Sequence, residues 1–415
     1  MIKYNRFQLA NGIKVIHSFD STISTVVLNA LYNVGARDER ENCTGFAHLF
    51  EHLMFAGSKN VLSFDQEIEK AGGQNNAFTN NEFTNYYISV PIENVETAFW
   101  LESDRLLALN INEESLNIQR GVVIEEFKQR CFNAPFGQLW HHVRELLYTK
   151  SPYRWPTIGK NIEHIENATL NDVQNFYDGF YIPQNLTISI VGNIAIEETK
   201  LLTDKWFGSI FKTGLPNPNN YVTDENSNDV NRLNTTDLSP NPAVFLLWKG
   251  PSIKENQSLS LDIFSDMLGG SEVSDLTERM VKELKLCNAA ECFYLRGLDE
   301  GIFVLYGILN EGINQDMVER ELLNTLNQFI EKREHNHFVF ESTKNKVYSA
   351  LKFDHINPIN LAQKLAYWEN LNKPDEINNE ANEIQNLNLS EVLKTAKSTF
   401  DPKNMSVLYY SPIND

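Results

Sequence analysis

The chain has 415 residues, room for two or three domains, and a hydrophobic fraction of 42% that supports sizeable cores and argues against disorder. Its formal net charge of -19 argues against nucleic acid or an anionic membrane as a partner and is compatible with cationic peptides. Cys43, Cys131, Cys287 and Cys292 lack C-x-x-C spacing and read as reduced structural thiols. The first residues show no apolar signal core and no apolar run reaches membrane-spanning length. A cytoplasmic location is the expectation, or a periplasmic one if a leader has been removed.

Residues 7–16 read as a strand, an Asn11-Gly12 turn and a second strand, and 24–32 as a β-branched, apolar strand. A loop over 33–39 leads to the stretch around which the chain is organised, Thr44 to Gly57. It is apolar on almost every face and predicts a buried helix, capped by Thr44 and ended by Gly57. Only His48, Glu51 and His52 interrupt it. His48 and His52 are four apart and share a face, with Glu51 beside them. Buried polar groups of this kind need a compensating partner. Two imidazoles and a neighbouring carboxylate suit a zinc ion that activates water, and the order H-x-x-E-H is a zinc-peptidase signature. Taken alone, the motif also fits a buried helix whose histidines bond only to backbone.

Further along, 64–70 reads as helix, 71–79 opens an extended segment, and 83–91 is a strand. Two helices follow over 92–109 and 115–130, the second holding Glu125 and Glu126. Then come a loop over 153–159, a helix over 170–177 and a buried strand over 186–191. From 213 to 242 Pro, Asn, Asp, Ser and Thr dominate, which reads as a linker with a strand near its end. The expected domains are therefore 1–212, which binds zinc, and 243–415. The second half echoes the first: Leu170-Asn171-Asp172-Val173 and Leu389-Ser390-Glu391-Val392 lie 219 apart, as do Pro183-Gln184-Asn185 and Pro402-Lys403-Asn404. The helix expected near 259–268 carries no histidine. The fold class expected is α+β, two homologous domains of mixed, mostly antiparallel sheet packed with helices.

These residues resemble the pitrilysin (insulinase-type) family of zinc metallopeptidases. The resemblance rests on Gly45 to Gly57, on Gly72-Gly73 with Asn76-Ala77-Phe78-Thr79, on Pro152 to Gly159 and on Leu268-Gly269-Gly270. It implies a zinc endopeptidase subunit of the mitochondrial processing peptidase type, whose two domains form half of a clamshell chamber and which cleaves peptides or unfolded polypeptides there. It implies Glu126 as the third ligand, 74 residues after His52, with Glu125 as the fallback. Gln119 stands where the family often has a carboxylate and could orient a ligand without supplying charge. Glu51 is the implied general base. Asn76, Ala77, Phe78 and Thr79 resemble the strand on which family substrates pair, although an ordinary edge strand has the same pattern.

Active relatives carry an Arg and a Tyr, seven apart, in their C-terminal half. The matching stretch here places Val281 and Asn288 at those positions, with Arg279, Lys282 and Tyr294 nearby. The expected partner is therefore a homologous chain that supplies the Arg/Tyr pair in a heterodimer, or otherwise a second copy in a homodimer. The competing function is a non-catalytic core or assembly subunit related to the core proteins of the respiratory bc1 complex. Such relatives usually lose motif residues, and His48, Glu51, His52 and Glu126 are all present here.

Overall fold

A computed structural model describes residues 1–212, 222, 224 and 230–413. They fall into two compact units, each built on one open sheet. The first comprises Met1–Phe127, Trp155–Tyr221 and Lys352–Glu380; the second comprises Lys128–Arg154, Val222–Leu351 and Ala381–Asp415.

The first sheet has the strands β1 (Asn5–Gln8), β2 (Lys14–Phe19), β3 (Thr25–Tyr32), β4 (Gln74–Thr79), β5 (Thr84–Pro91) and β6 (Leu186–Gly192), in the order β1-β2-β6-β3-β5-β4. The second has β7 (Asn231–Asp237), β8 (Ala243–Gly250), β9 (Cys287–Leu295), β10 (Gly301–Leu309) and β11 (Ser406–Pro412), in the order β7-β11-β8-β10-β9. Without β1 the two orders are one topology. In each, the first and last strands pair in parallel, β2 with β6 and β7 with β11, and every other ladder is antiparallel. The α+β class with mixed, mostly antiparallel sheets is what the sequence implies. The repeat extends to helix caps. Thr169 accepts the Asp172 N–H at the start of Leu170–Phe180, and Asn388 accepts the Glu391 N–H at the start of Leu389–Thr399.

A sheet with two apolar faces must be covered on both. In the first unit, helices Phe46–Leu53, Val95–Ala108 and Leu170–Phe180 pack one side through residues such as Phe50, Phe99 and Tyr177. The other side is covered by helix Pro358–Asn370, whose Leu361, Ala362, Leu365 and Trp368 meet Ile16, Val27 and Val191. Arg6 makes two bonds to Glu369, at 2.6 and 2.9 Å, and Ser189 Oγ donates to the Ala362 carbonyl oxygen at 2.5 Å. In the second unit, Leu139–Leu147 lays Val143 and Leu147 against Phe245, Leu247, Val304 and Leu408. A boundary at 213–242 separates the two sheets, but these two helices cross it: each half of the sequence lends the other's sheet its outer cover. Residues 213–221, 223 and 225–229, most of the expected linker, lie outside the described residues; β7 is the strand near its end. No helix among the described residues is long and apolar enough to cross a membrane.

Candidate metal centre

The expected buried helix is there, trimmed to Phe46–Leu53. Phe46, Ala47, His48, Leu49, Phe50 and Leu53 are buried, and Glu51 and His52 are half-buried. Thr44 does not cap it. Its hydroxyl is taken by His164 Nδ1 at 2.8 Å and by the Lys160 N–H at 2.7 Å. The N-cap is Gly45, left-handed at φ 88°, where an added Cβ would lie 2.9 Å from the Ile158 carbonyl oxygen. A glycine has no side chain with which to cap, so the open N–H groups of the first turn are met from elsewhere. Glu39 meets them, accepting from Gly45 N at 2.9 Å and Ala47 N at 2.8 Å. After Leu53 the chain tightens through a turn to Gly57, also left-handed at φ 93°.

His48 and His52 present their rings 5.0 Å apart and nearly perpendicular, at 85°. Glu126 arrives from the last turn of Glu113–Phe127, a helix continued by a π-helical turn over Lys128–Phe132. Its Oε2 stands 3.6 Å from His48 Nε2 and 3.3 Å from His52 Nε2. One donor atom from each of the three residues lies within 4.8 Å of the others. Their side chains are 9, 24 and 19% exposed, so the cluster is sheltered yet reachable. Zinc bonds of about 2.0–2.2 Å in a tetrahedron set ligand atoms about 3.3–3.6 Å apart, the spacing of the two imidazole–carboxylate contacts. The donor set therefore fits zinc. Glu125 is exposed and outside the cluster, and Gln119 is half-buried two turns before Glu126 on the same helix face.

Several residues behind the helix had no signal in the sequence. The Tyr86 hydroxyl donates to the Phe50 carbonyl oxygen at 3.2 Å and lies 3.0 Å from the Tyr181 hydroxyl. Phe50 stacks on Phe176 and Tyr181. Burial raises the Tyr86 and Tyr181 phenols, and the Glu51 charge adds to the shift in both. Fully buried Arg105 pairs with buried Glu102 and lies 4.4 Å from the Tyr86 ring centre. Burial raises the Glu102 carboxyl, and Arg105 opposes that shift. A helical spacing shows who shares a face; it does not show which distant rings lie behind it.

Asn76, Ala77, Phe78 and Thr79 lie on β4, the edge strand of the first sheet, packed near the histidine helix. Ala77 faces the core, Phe78 is exposed with its ring edge-on to Phe83, and Asn76 Oδ1 accepts the Ala77 N–H. In the second unit Val281 packs against the core and Asn288 is exposed at the start of β9. Arg279 pairs with Glu283 and Glu321, Lys282 with Glu278, and the Tyr294 hydroxyl donates to the Pro251 carbonyl oxygen.

Two family models match the chain: "Insulinase (Peptidase family M16)" over residues 14–149 and "Peptidase M16 inactive domain" over residues 167–345. The chain is similar to zinc protease PqqE of Helicobacter pylori, at 28% identity over 335 residues, 78% of this chain and 74% of that protein. It is 25% identical over 327 residues to the probable mitochondrial-processing peptidase subunit beta of Arabidopsis thaliana, which is 74% of this chain and 60% of that protein. The crystal structure of a protease from Helicobacter pylori shares the fold, with a TM-score of 0.91 at 24% identity, covering 99% of this chain and 100% of that one.

Proposed function

The chain belongs to the insulinase (M16) family of peptidases, and from that premise we propose that it is the zinc-bearing subunit of an endopeptidase. The observation that carries the reading is the convergence of His48, His52 and Glu126 within 4.8 Å, with Glu51 on the same helix as the two histidines. His48 Nε2, His52 Nε2 and a Glu126 carboxylate oxygen would hold the ion. Zinc so held supplies a Lewis acid and lowers the pKa of a bound water towards about 7.

Glu51 takes the proton of the attacking water on a carboxylate oxygen and passes it to the departing amine nitrogen. Its charge is felt by two buried phenols whose pKa values are raised, so those phenols stay protonated and do not compete for the proton. Gln119 orients Glu126 from the same helix face. An extended peptide pairs its backbone with the open edge of β4 at Asn76, Ala77, Phe78 and Thr79, which reads little side-chain sequence and accepts unfolded polypeptides.

Among the described residues, the Arg/Tyr pair of active relatives is not present at its matching positions. Val281 has no polar group, Asn288 is short, and Arg279, Lys282 and Tyr294 are each engaged within their own unit. A homologous partner subunit that supplies an Arg and a Tyr to bind substrate carbonyls completes the site. The test is the zinc content of the purified chain, together with its turnover of a mixed peptide pool with and without that partner. One zinc per chain and cleavage abolished by Glu51→Gln are expected. Zinc-free protein, or equal turnover by Glu51→Gln, rejects the reading.

A further inference from the structure

We propose that Glu39 is a positioning residue of this site: its carboxylate locks the first turn of the histidine helix to the loop that is tied to the end of strand β4. The inference rests on the zinc reading above and adds a residue that contacts neither metal nor substrate.

The histidine helix is only eight residues long, and a helix of two turns is marginal unless something outside it fixes it. Gly45 contributes no capping side chain. Glu39, 7% exposed, accepts both Gly45 N and Ala47 N, and Ala47 immediately precedes His48. Burial drives the Glu39 carboxyl well above the usual range, and these two N–H groups act against that. A carboxylate at a helix N-terminus is also favoured by the helix dipole.

The other end of the lever is as firmly held. Just before Glu39, Ala36 N donates to the Asn80 carbonyl oxygen at 3.1 Å and Arg37 N to that of Asn81 at 3.0 Å, in the turn between β4 and β5. Trp155 Nε1 donates to the Ala36 carbonyl oxygen at 2.9 Å. A Cβ on Gly35 would lie 2.5 Å from the Asn81 backbone, so the loop and the turn are in close contact. One side chain thus joins the element that carries His48 and His52 to the element proposed to carry substrate. Without it each could shift by a fraction of an ångström while both stay folded.

The experiment titrates zinc into the metal-free full chain against a chromophoric chelator. It compares wild type, Glu39→Gln, Glu39→Ala, the ligand variant His52→Ala, and Thr169→Ala, which loses the cap of a different helix in the same unit. Loss of an outer partner bonded directly to a metal ligand costs about 10–100-fold in affinity, which sets the upper bound here because Glu39 holds the backbone beside His48 and not its ring. Glu39→Gln, which keeps one acceptor, is expected near the low end and Glu39→Ala near the high end, with kcat lowered more than KM. Thr169→Ala should bind zinc as the wild type does, even where it melts as early as Glu39→Gln. Zinc affinity within twofold of wild type in both Glu39 variants, while His52→Ala loses it, overturns the proposal alone. No zinc binding by the wild type overturns the metal reading and the proposal with it. Because Glu39→Gln is close to isosteric, it keeps the test open should Glu39→Ala fail to fold.

Discussion

Helix Phe46–Leu53 of the first unit and helix Asn256–Gly269 of the second follow corresponding strands, β3 and β8, of one topology. The first starts at a left-handed glycine and places His48, Glu51 and His52 in an apolar setting. The second is longer, 14 residues, and its buried polar residues are Ser258, Ser260 and Ser265. A serine can be satisfied close to its own backbone, as when Ser265 Oγ donates to the Asp262 carbonyl oxygen at 2.7 Å. Two imidazoles and a carboxylate cannot be satisfied within two turns of helix. The imidazoles meet Glu126 from another helix, and the open N–H groups of the helix's first turn meet Glu39 from a loop. The fold itself does not require donors at this step; the first unit carries them in addition, and needs an external frame to hold them.

The largest effect that would sharpen this contrast is chemical. Glu51→Gln should keep the zinc and the fold and lose about 10²–10⁴-fold in peptide turnover, the usual worth of general acid–base assistance. Zinc content and circular dichroism unchanged, with kcat collapsed, is the expected outcome. Turnover near wild type, with contaminating protease excluded, would place proton transfer on another group. Next in size is the partner effect. If the second unit has no free Arg/Tyr pair, adding a homologous subunit that carries one should raise kcat/KM by about 10²-fold, in line with the loss of an oxyanion donor. An isolated chain at full activity, abolished by Arg279→Ala or Tyr294→Phe, would show that the second unit is no bystander.

What was legible in the sequence was what is local. The i, i+4 spacing of His48 and His52, the Asn11-Gly12 hairpin and the helix followed by Pro-x-Asn in each half rest on short-range geometry, and the structure shows these elements where the pattern put them. Glu126, 74 residues after His52, was pointed to by the family resemblance and not by any local pattern. Glu39 was invisible because its partners are N–H groups six and eight residues on, across a loop whose path is set by Asn80, Asn81 and Trp155. Thr44 looked like the cap because it is the right residue type, but it stands one residue before the cap, Gly45, and its hydroxyl is engaged by His164 and by the Lys160 N–H. The crossing of Leu139–Leu147 and Pro358–Asn370 was hidden for a similar reason. An apolar stripe says that a helix is covered, not by which sheet.

A third test concerns Asp262, a half-buried carboxyl on the second helix. Burial raises the Asp262 carboxyl to about 6, and the nearby Arg296 pulls it down while Asp266 pushes it up. The folded state therefore holds a proton between pH ~4 and pH ~6 that the unfolded chain has released. Its stabilising contribution is complete below pH ~4 and is lost as the pH rises through about 6. At neutral pH the ionised group costs on the order of 2–3 kcal/mol. Asp262→Asn should recover most of that at pH 7.5 and little at pH 4, read by hydrogen exchange in Asn256–Gly269. Equal effects at both pH values would mean that Asp262 is held by packing and not by its charge.

The smallest effect compares the two halves where they look most alike. Thr169 and Asn388 cap equivalent helices, 219 residues apart, and removing either should cost about 1 kcal/mol. The caps differ in reciprocity. Asp172 bonds back to both the N–H and the hydroxyl of Thr169, while Asn388 accepts from Glu391 N without a return bond. Asp172 should therefore couple to Thr169 and Glu391 should not couple to Asn388. In double-mutant cycles, Thr169→Ala with Asp172→Ala should show an interaction of about 0.5 kcal/mol or more, and Asn388→Ala with Glu391→Ala should be additive within a few tenths. Amide exchange in the first turns of Leu170–Phe180 and Leu389–Thr399 reads both. Matching couplings would mean that the two units share not only a topology but the same local wiring at its helix starts. The contrast between the units would then be confined to the helix that holds His48, Glu51 and His52.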